Sequence, residues 1–370
     1  MSLERYKLKE NPFRVTPPTK PEEIFWAGFS KLKEKFEQRI KLSLQLNNTS
    51  LVLNWGEYGS GKTHAARYFS KPEVLLQLAK PIKTEIPYSI IITLPKGKEP
   101  VYSIFSNIID KLQIKDIREK YSIHIQEVNH AIDNITDNTQ IQSVLKAVFN
   151  SNVDEISLRR YLYGNMTAAN LKALNEYGIL RNFNNDNDYT KFLSGLFTCL
   201  TIEKKVYSAI ILWLDEFEDL AILSNVNIDK TNNFLREILD NTPNNLLIFL
   251  NLTQTALFGQ EDLGQYLSEA VRSRIKDRIS FDLPNRTDLI DYIEGLLQVS
   301  RISEEAVDPL YPFTEELVSL VFSDLHNPSI RSINEAFSLL LELALLSNVE
   351  NIDVDFYTRH KSEIIGWKDQ

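Results

Sequence analysis

Cysteine is nearly missing from this chain: Cys199 is the only one in 370 residues. A single thiol forms neither an internal disulfide nor a cysteine-based zinc site, which fits a reducing compartment such as the cytoplasm. Histidine is sparse as well, and the five present show no metal-ligand spacing. No uninterrupted apolar run approaches the ~20 residues of a membrane span. Residues 1–20 are charged and proline-bearing and lack the apolar core of a signal peptide. A soluble, cytoplasmic protein with no membrane partner is expected. An excess of positive charge is missing too. The formal net charge of −9 excludes a generally basic nucleic-acid coat but leaves room for a local patch.

What is present is an ordinary globular composition, 43% hydrophobic and 25% charged, in a chain long enough for one large domain and a smaller one. Asn11, Pro12 and Phe13 through Pro17 and Pro18 predict an extended lead-in, because proline fixes φ and biases its predecessor away from helix. A helix over 30–46 should follow, marked by Leu32, Phe36, Ile40, Leu42 and Leu44; the interleaved Lys31, Lys33, Lys35, Arg39 and Lys41 read as a solvated face. Short apolar runs at 50–55, 89–94, 209–214, 246–250 and 279–283 then alternate with helical patterns. This predicts an α/β fold, a parallel sheet covered by helices on both faces.

From Arg286 onward the chain reads as all-helical, with the stripe Leu289, Ile290, Ile293, Leu296 and Leu297 and a long helix over 330–346 opened by Asn327, Pro328 and Ser329. The expected divisions are a lead-in and first helix at 1–45, an α/β core at 46–285 and a helical domain at 286–370. Between the second and third strands, Val101, Ile104, Phe105, Ile108 and Leu112 mark one helix, and Ile141, Val144, Leu145, Val148 and Phe149 another. Residues 134–140 and 182–188 read as asparagine-rich loops, and 116–188 as a helical insertion on the core. Within it Arg159, Arg160, Tyr161 and Tyr163 form a basic-aromatic cluster. It reads either as helix surface with core tyrosines or as a nucleic-acid contact.

The strongest motif is Gly56-Glu57-Tyr58-Gly59-Ser60-Gly61-Lys62-Thr63, a P-loop pattern that follows the apolar Leu51-Val52-Leu53 and opens a helical stretch at His64. The chemistry requires this order because backbone N–H groups and a helix N-terminus together cradle a polyphosphate. Glycines let the backbone approach. Lys62 supplies a point charge to the β and γ phosphates, and the Thr63 hydroxyl is suited to ligate Mg²⁺. The residues from Gly56 to His64 are therefore the expected ATP-binding set. A chance glycine turn would match the four fixed positions in only about one chain in a hundred of this length.

The apolar run at 208–214 ends in Asp215-Glu216-Phe217-Glu218-Asp219. Acids at the C-terminal end of such a strand lie where ligands bind in open α/β sheets. Asp215 is expected to hold Mg²⁺, usually through water, and Glu216 to polarise the attacking water. An apolar strand followed by acids is also common as punctuation; the P-loop upstream is what favours chemistry.

An acidic pair at the third strand, a polar residue ending the fourth, an arginine before the fifth and an arginine opening a late helix resemble the pattern of AAA+ ATPases. The resemblance implies a P-loop NTPase sheet with a C-terminal all-helical lid. It implies a sensor 1 residue in 246–253: Thr253 first or Asn251 second, which strand alternation puts on one face. It implies an arginine finger in 268–275, with Arg274 the best match and Arg272 and Arg278 nearby. It also implies that Arg331 reaches the γ-phosphate from the sensor 2 helix. A lone arginine otherwise reads as a surface ion pair, the reading preferred for Arg278.

Within the superfamily, residues 23–347 are most similar to the initiator-like group: origin-recognition and replication-licensing ATPases, transposon target-selection ATPases and ATP-binding proteins of BREX-type phage-defence systems. The resemblance implies ATP and Mg²⁺ as cofactors and hydrolysis in a homo-oligomer. A protein partner of unspecified identity and nucleic acid are the further candidate partners, in a DNA-associated process such as transposition, phage defence or replication. Two departures stand out: the insertion is not part of the pattern, and the sequence ends just after the lid, where replication initiators continue into a winged-helix domain. A transposition or defence regulator fits that better. The alternative is a nucleotide-switch scaffold that binds ATP and recruits a partner with little turnover. A monomeric small-molecule kinase is a third class, which would have to account for the lid and Arg274.

Overall fold

The computed structural model describes residues 3–242, 245–254, 259, 262–303, 308–325 and 328–365. The chain divides into two compact units, one formed by Phe36–Trp55 and Phe69–Ile279, the other by Met1–Lys35, Gly56–Tyr68 and Ser280–Gln370.

The first unit is built on a five-stranded parallel sheet, β1 (Thr49–Glu57), β2 (Tyr88–Thr93), β3 (Ile210–Asp215), β4 (Leu246–Gln254) and β5 (Ile275–Phe281), in the order β2-β3-β4-β1-β5. The register runs from Tyr88↔Ile210 to Thr93↔Asp215 and from Ile210↔Leu246 to Leu214↔Leu250. Every residue of β3 is buried, which is why it reads in sequence as an unbroken apolar run. The same holds for β4 up to Gln254. Phe36, on the helix Ser30–Gln45, packs its ring against Phe69, Trp213 and Phe249.

The fifth strand departs from expectation. It starts at Ile275 rather than 279 and stops at Phe281, because Lys276 and Asp277 are exposed on it and break the apolar run. An edge strand tolerates such charge and is guarded by it against stray pairing.

Between β2 and β3 the chain forms the helices Pro100–Lys111, Ile114–Tyr121, Ile125–Ile135, Thr139–Phe149, Glu155–Leu162, Ala168–Leu171 and Asp186–Leu200. Ile104, Phe105, Ile132, Leu145 and Phe192 from these helices share one hydrophobic cluster with Ile90 and Leu212 of the sheet. The stretches read as asparagine-rich loops are in part helix starts. Asn138 accepts from the Ile141 N–H and Asn185 from the Asp188 N–H, each capping the helix that follows. Asparagine suits this because its short side chain satisfies an otherwise orphan amide.

Arg118 is buried and donates to the carbonyls of Ala147, Val148 and Val153 at 3.0, 3.0 and 2.8 Å, closing the C-terminus of Thr139–Phe149. Burial pulls its pKa down. The basic-aromatic cluster mostly faces inward as well. Arg159 donates to Ile109 and Leu112 carbonyls and to Glu155, Tyr161 is fully buried against Gln140 and the Arg181 carbonyl, and Tyr163 donates to Asp110. Of the four only Arg160 is exposed, Arg159 and Tyr163 are half-buried, and Tyr161 is core.

In the second unit the helices Arg286–Val299, Glu315–Asp324, Ile330–Leu346 and Val354–Ile364 are capped by Asn285, Thr314, Ser329 and Asp353. Asn327 lies outside the described residues. Their core of Leu289, Ile293, Leu317, Phe337 and Phe356 also takes in Tyr6, Leu8 and Phe13 from the lead-in. Leu8 bridges Arg301, Asn11 donates to Ser338 at 2.8 Å, and Asn334 donates to the Arg14 carbonyl. The lead-in thus shares a unit with the last ninety residues as well as with the start of the first helix, a pairing that local sequence patterns do not encode.

Candidate functional site

The glycine loop joins the end of β1 to the helix Lys62–Phe69. Gly59 and Gly61 have φ of 77° and 100°, a region that side chains disfavour. Space is as restrictive as torsion. A Cβ on Gly56 would lie 2.6 Å from Phe281 Cβ, and one on Gly59 would lie 2.8 Å from Arg331 Cβ. The Lys62 ammonium curls back over the loop and donates to the Gly56 and Glu57 carbonyls at 2.9 and 2.8 Å and to Ser60 Oγ at 3.2 Å. Closely approached backbone, a cation and the start of a helix are the chemistry that a polyphosphate requires. Thr63 follows Lys62 in the first turn of the helix. The His64 ring turns elsewhere, with Nε2 donating to the Phe25 carbonyl at 2.8 Å, and burial lowers its pKa.

Arg331, second residue of the helix Ile330–Leu346, meets this loop directly. Its backbone N–H donates to the Gly59 carbonyl at 3.3 Å, and its guanidinium lies 4.2 Å from the centroid of the Tyr58 ring. A cation over an aromatic face is attracted by the ring quadrupole. Ser329 and Ser332 cap the helix reciprocally and fix where Arg331 starts. Tyr58, Gly59 and Arg331 are therefore brought together.

The acids stand at the C-terminal end of β3. Asp215 is buried; Glu216, next to it, is exposed and sits in the left-handed region at φ 53°, ψ 39°. A non-glycine residue there is strained, and strain of this kind concentrates where a side chain must be aimed. Although the residue as a whole is exposed, loss of solvent around its carboxyl first, then the charges of Asp215 and Asp219, push that carboxyl above its ordinary range, with Lys96 opposing. Lys96 pairs with Asp219 at 3.1 Å.

The two sensor 1 candidates behave differently. Asn251 Nδ2 donates to Asp215 Oδ1 at 2.9 Å, whereas Thr253 offers its backbone N–H to Glu218 Oε2 at 3.1 Å. Because β4 lies between β1 and β3, Asn251 also reaches Asn54 of β1, whose Nδ2 donates to it at 2.7 Å. Sequence reasoning missed Asn54. The available signal was one polar residue inside the apolar run Leu51-Val52-Leu53-Asn54-Trp55.

The segment that leads into Arg274 is not one continuous helix. Two short pieces, Leu263–Tyr266 and Glu269–Arg272, are separated by Leu267 at φ −98°, ψ 118°, and Ser268 caps the second. Asn232 Oδ1 holds the Ser268 N–H at 2.8 Å, which stabilises the break. Arg274 lies beyond both pieces and forks onto Asp240, Nε to Oδ1 at 2.7 Å and Nη2 to Oδ2 at 2.8 Å. Arg272 donates to the Leu267 carbonyl, and Arg278 lies over the Trp55 ring.

No protein-family model matches the sequence, and no curated protein matches it. Solved structures do. ORC1 of Aeropyrum pernix in complex with DNA is 14% identical with a TM-score of 0.51, over 97% of this chain and 70% of that one. ORC2 of the same organism, in ADPNP–ADP complexes, is 14% identical with a TM-score of 0.57, over 96% and 72%. Cdc6p of Pyrobaculum aerophilum is 10% identical with a TM-score of 0.50, over 97% and 72%. At such identities the likeness is one of fold alone: the chain shares the fold of these ORC and Cdc6 structures, a parallel sheet followed by a helical C-terminal region.

Proposed function

We propose that this chain is an ATPase that binds ATP and Mg²⁺ through the Gly56–Thr63 loop and hydrolyses ATP when assembled with further copies of itself. It would serve a DNA-associated process such as transposition, phage defence or replication. The observation that carries the reading is the loop: two glycines at positive φ, a third pressed against Phe281, and a lysine held over them. The adenine nucleotides of the Aeropyrum ORC2 structures and the DNA of the ORC1 complex support the nucleotide and the setting.

In this reading the loop amides and Lys62 neutralise the β and γ phosphates, and Thr63 and Asp215 hold the metal. Mg²⁺, when bound, supplies further charge neutralisation on the phosphates. Glu216 accepts a proton from the attacking water as its oxygen bonds to the γ-phosphorus and the bond to the β-phosphate oxygen breaks, leaving ADP and phosphate. A carboxyl with raised proton affinity suits that task near neutral pH. Thr253 or Asn251 orients the reacting groups, Arg331 senses the γ-phosphate from residues 286–370 acting as a lid, and Arg274 serves a neighbour's nucleotide. The test is Lys62→Ala followed by calorimetry: ATP binding should be lost, and an unchanged affinity would remove Lys62 and the loop from the reading.

One observation favours the alternative of a nucleotide switch with little turnover. Arg274 is engaged by both carboxylate oxygens of Asp240, so an isolated chain has its finger tied down. Turnover per subunit that rises with protein concentration separates the two readings.

A further inference from the structure

Asn54 is the one polar side chain between Leu51 and Trp55, and it is completely buried. A buried amide is costly unless it is hydrogen-bonded, so its presence in an apolar strand asks for a reason. Its Nδ2 donates to Asn251 Oδ1 at 2.7 Å, and Asn251 Nδ2 donates to Asp215 Oδ1 at 2.9 Å. The three side chains thus form one line across β1, β4 and β3. The polarity of that line is set from its acidic end. An ionised carboxylate only accepts, so Asn251 must present its NH₂ to Asp215 and turn its carbonyl toward β1. Only a donor can meet that carbonyl. An apolar residue at 54 offers none, and an ionised acid there would invite Asn251 to turn round and set its carbonyl against Asp215.

We infer that Asn54 is a positioning residue: acting through Asn251, it holds the Asp215 carboxylate in the orientation that binds Mg²⁺. The inference rests on the proposed role of Asp215 as a metal-holding acid. Partners that orient a metal-binding carboxylate from behind typically change metal affinity about 10–100-fold when removed. Asn54 and Asn251 stand in that place, with one oxygen of Asp215 committed to them.

The experiment titrates the full chain with a slowly hydrolysed ATP analogue at a series of Mg²⁺ concentrations and in EDTA, using the parent, Asn54→Leu, Asn54→Ser, Asn251→Leu and the Asn54→Leu/Asn251→Leu pair. Asn54→Leu should raise the Mg²⁺ concentration for half-maximal binding about tenfold, while affinity in EDTA stays within about twofold. Asn54→Ser, which adds no bulk and sets its only donor, the hydroxyl, one bond further back from Asn251 than the amide, should move in the same direction even if the leucine variant folds poorly. In the double variant Asn54→Leu should add nothing to Asn251→Leu, because the middle of the line is already gone. Parental Mg²⁺ dependence in both Asn54 variants, or additive losses in the double variant, would overturn the inference and leave the ATPase reading standing. A parent whose analogue binding ignores Mg²⁺ overturns the metal role of Asp215 and this inference with it.

Discussion

Glu216 carries two burdens at once, a left-handed backbone and a carboxyl that resists ionisation. Its folded pKa lies above the unfolded one, so its contribution to stability is present below the unfolded carboxylate value and lost as pH rises through the raised value. At neutral pH the ionised side chain is therefore a liability. Glu216→Gln should melt higher than the parent at pH 7, with the difference shrinking as pH falls toward about 4, and should hydrolyse ATP at least about a hundredfold more slowly. A lower melting temperature at pH 7 would count against this account of the site. Arg118 presents the opposite case, a buried cation whose work is structural. Arg118→Met strands two carbonyls at a helix end and one in the loop after it and should cost about 2–4 kcal/mol in urea unfolding. Arg118→Lys should recover only part of it, because an ammonium does not reproduce the planar fork. Loss of less than about 1 kcal/mol for the methionine variant would show that water replaces the clamp.

At the scale of elements, capping explains why stretches that look like loops begin helices. Asn185→Ala should cost about 1 kcal/mol, by removing the acceptor for the Asp188 N–H. Asn187→Ala, at the second residue of the same helix and exposed, should be neutral or slightly stabilising through helix propensity. Equal losses at the two positions in denaturant titrations would mean that the cap does not control this helix. The strands divide similarly. β3, and β4 up to Gln254, are buried and advertise themselves as apolar runs, whereas β5 hides half its length behind Lys276, Asp277 and Arg278. The physical difference is position in the sheet, since an edge strand has no second neighbour to exclude charge.

At the scale of the whole molecule, the proposed role of Arg274 as an arginine finger is what would make turnover shared. In the proposed assembly, exchanging Asp240 for a neighbour's phosphates is the step that activates Arg274. Asp240→Asn should therefore raise turnover several-fold at subunit concentrations where the parent is slow, while Arg274→Ala leaves ATP affinity within a few-fold and sharply lowers turnover. Mixing Arg274→Ala with Glu216→Gln subunits should recover activity, since an intact finger would then meet an intact base. A mixing curve without recovery, together with a monomer mass at saturating ATP, would leave Arg274 as the partner of Asp240 and nothing more.

The amino-acid sequence by itself determined the glycine loop, the strand that delivers Asp215 and Glu216, the parallel sheet and the helical character of the last residues. Each is written locally, as glycine spacing, buried runs or helical periodicity. Tertiary structure alone decided the rest. The order β2-β3-β4-β1-β5 puts Asn251 within reach of both Asn54 and Asp215, the break at Leu267 and Ser268 hands Arg274 to Asp240, and Tyr6, Leu8 and Phe13 join a core made by residues beyond 285. Those contacts pair residues about 30 to 300 positions apart, and no window of sequence short enough to show a period contains both partners.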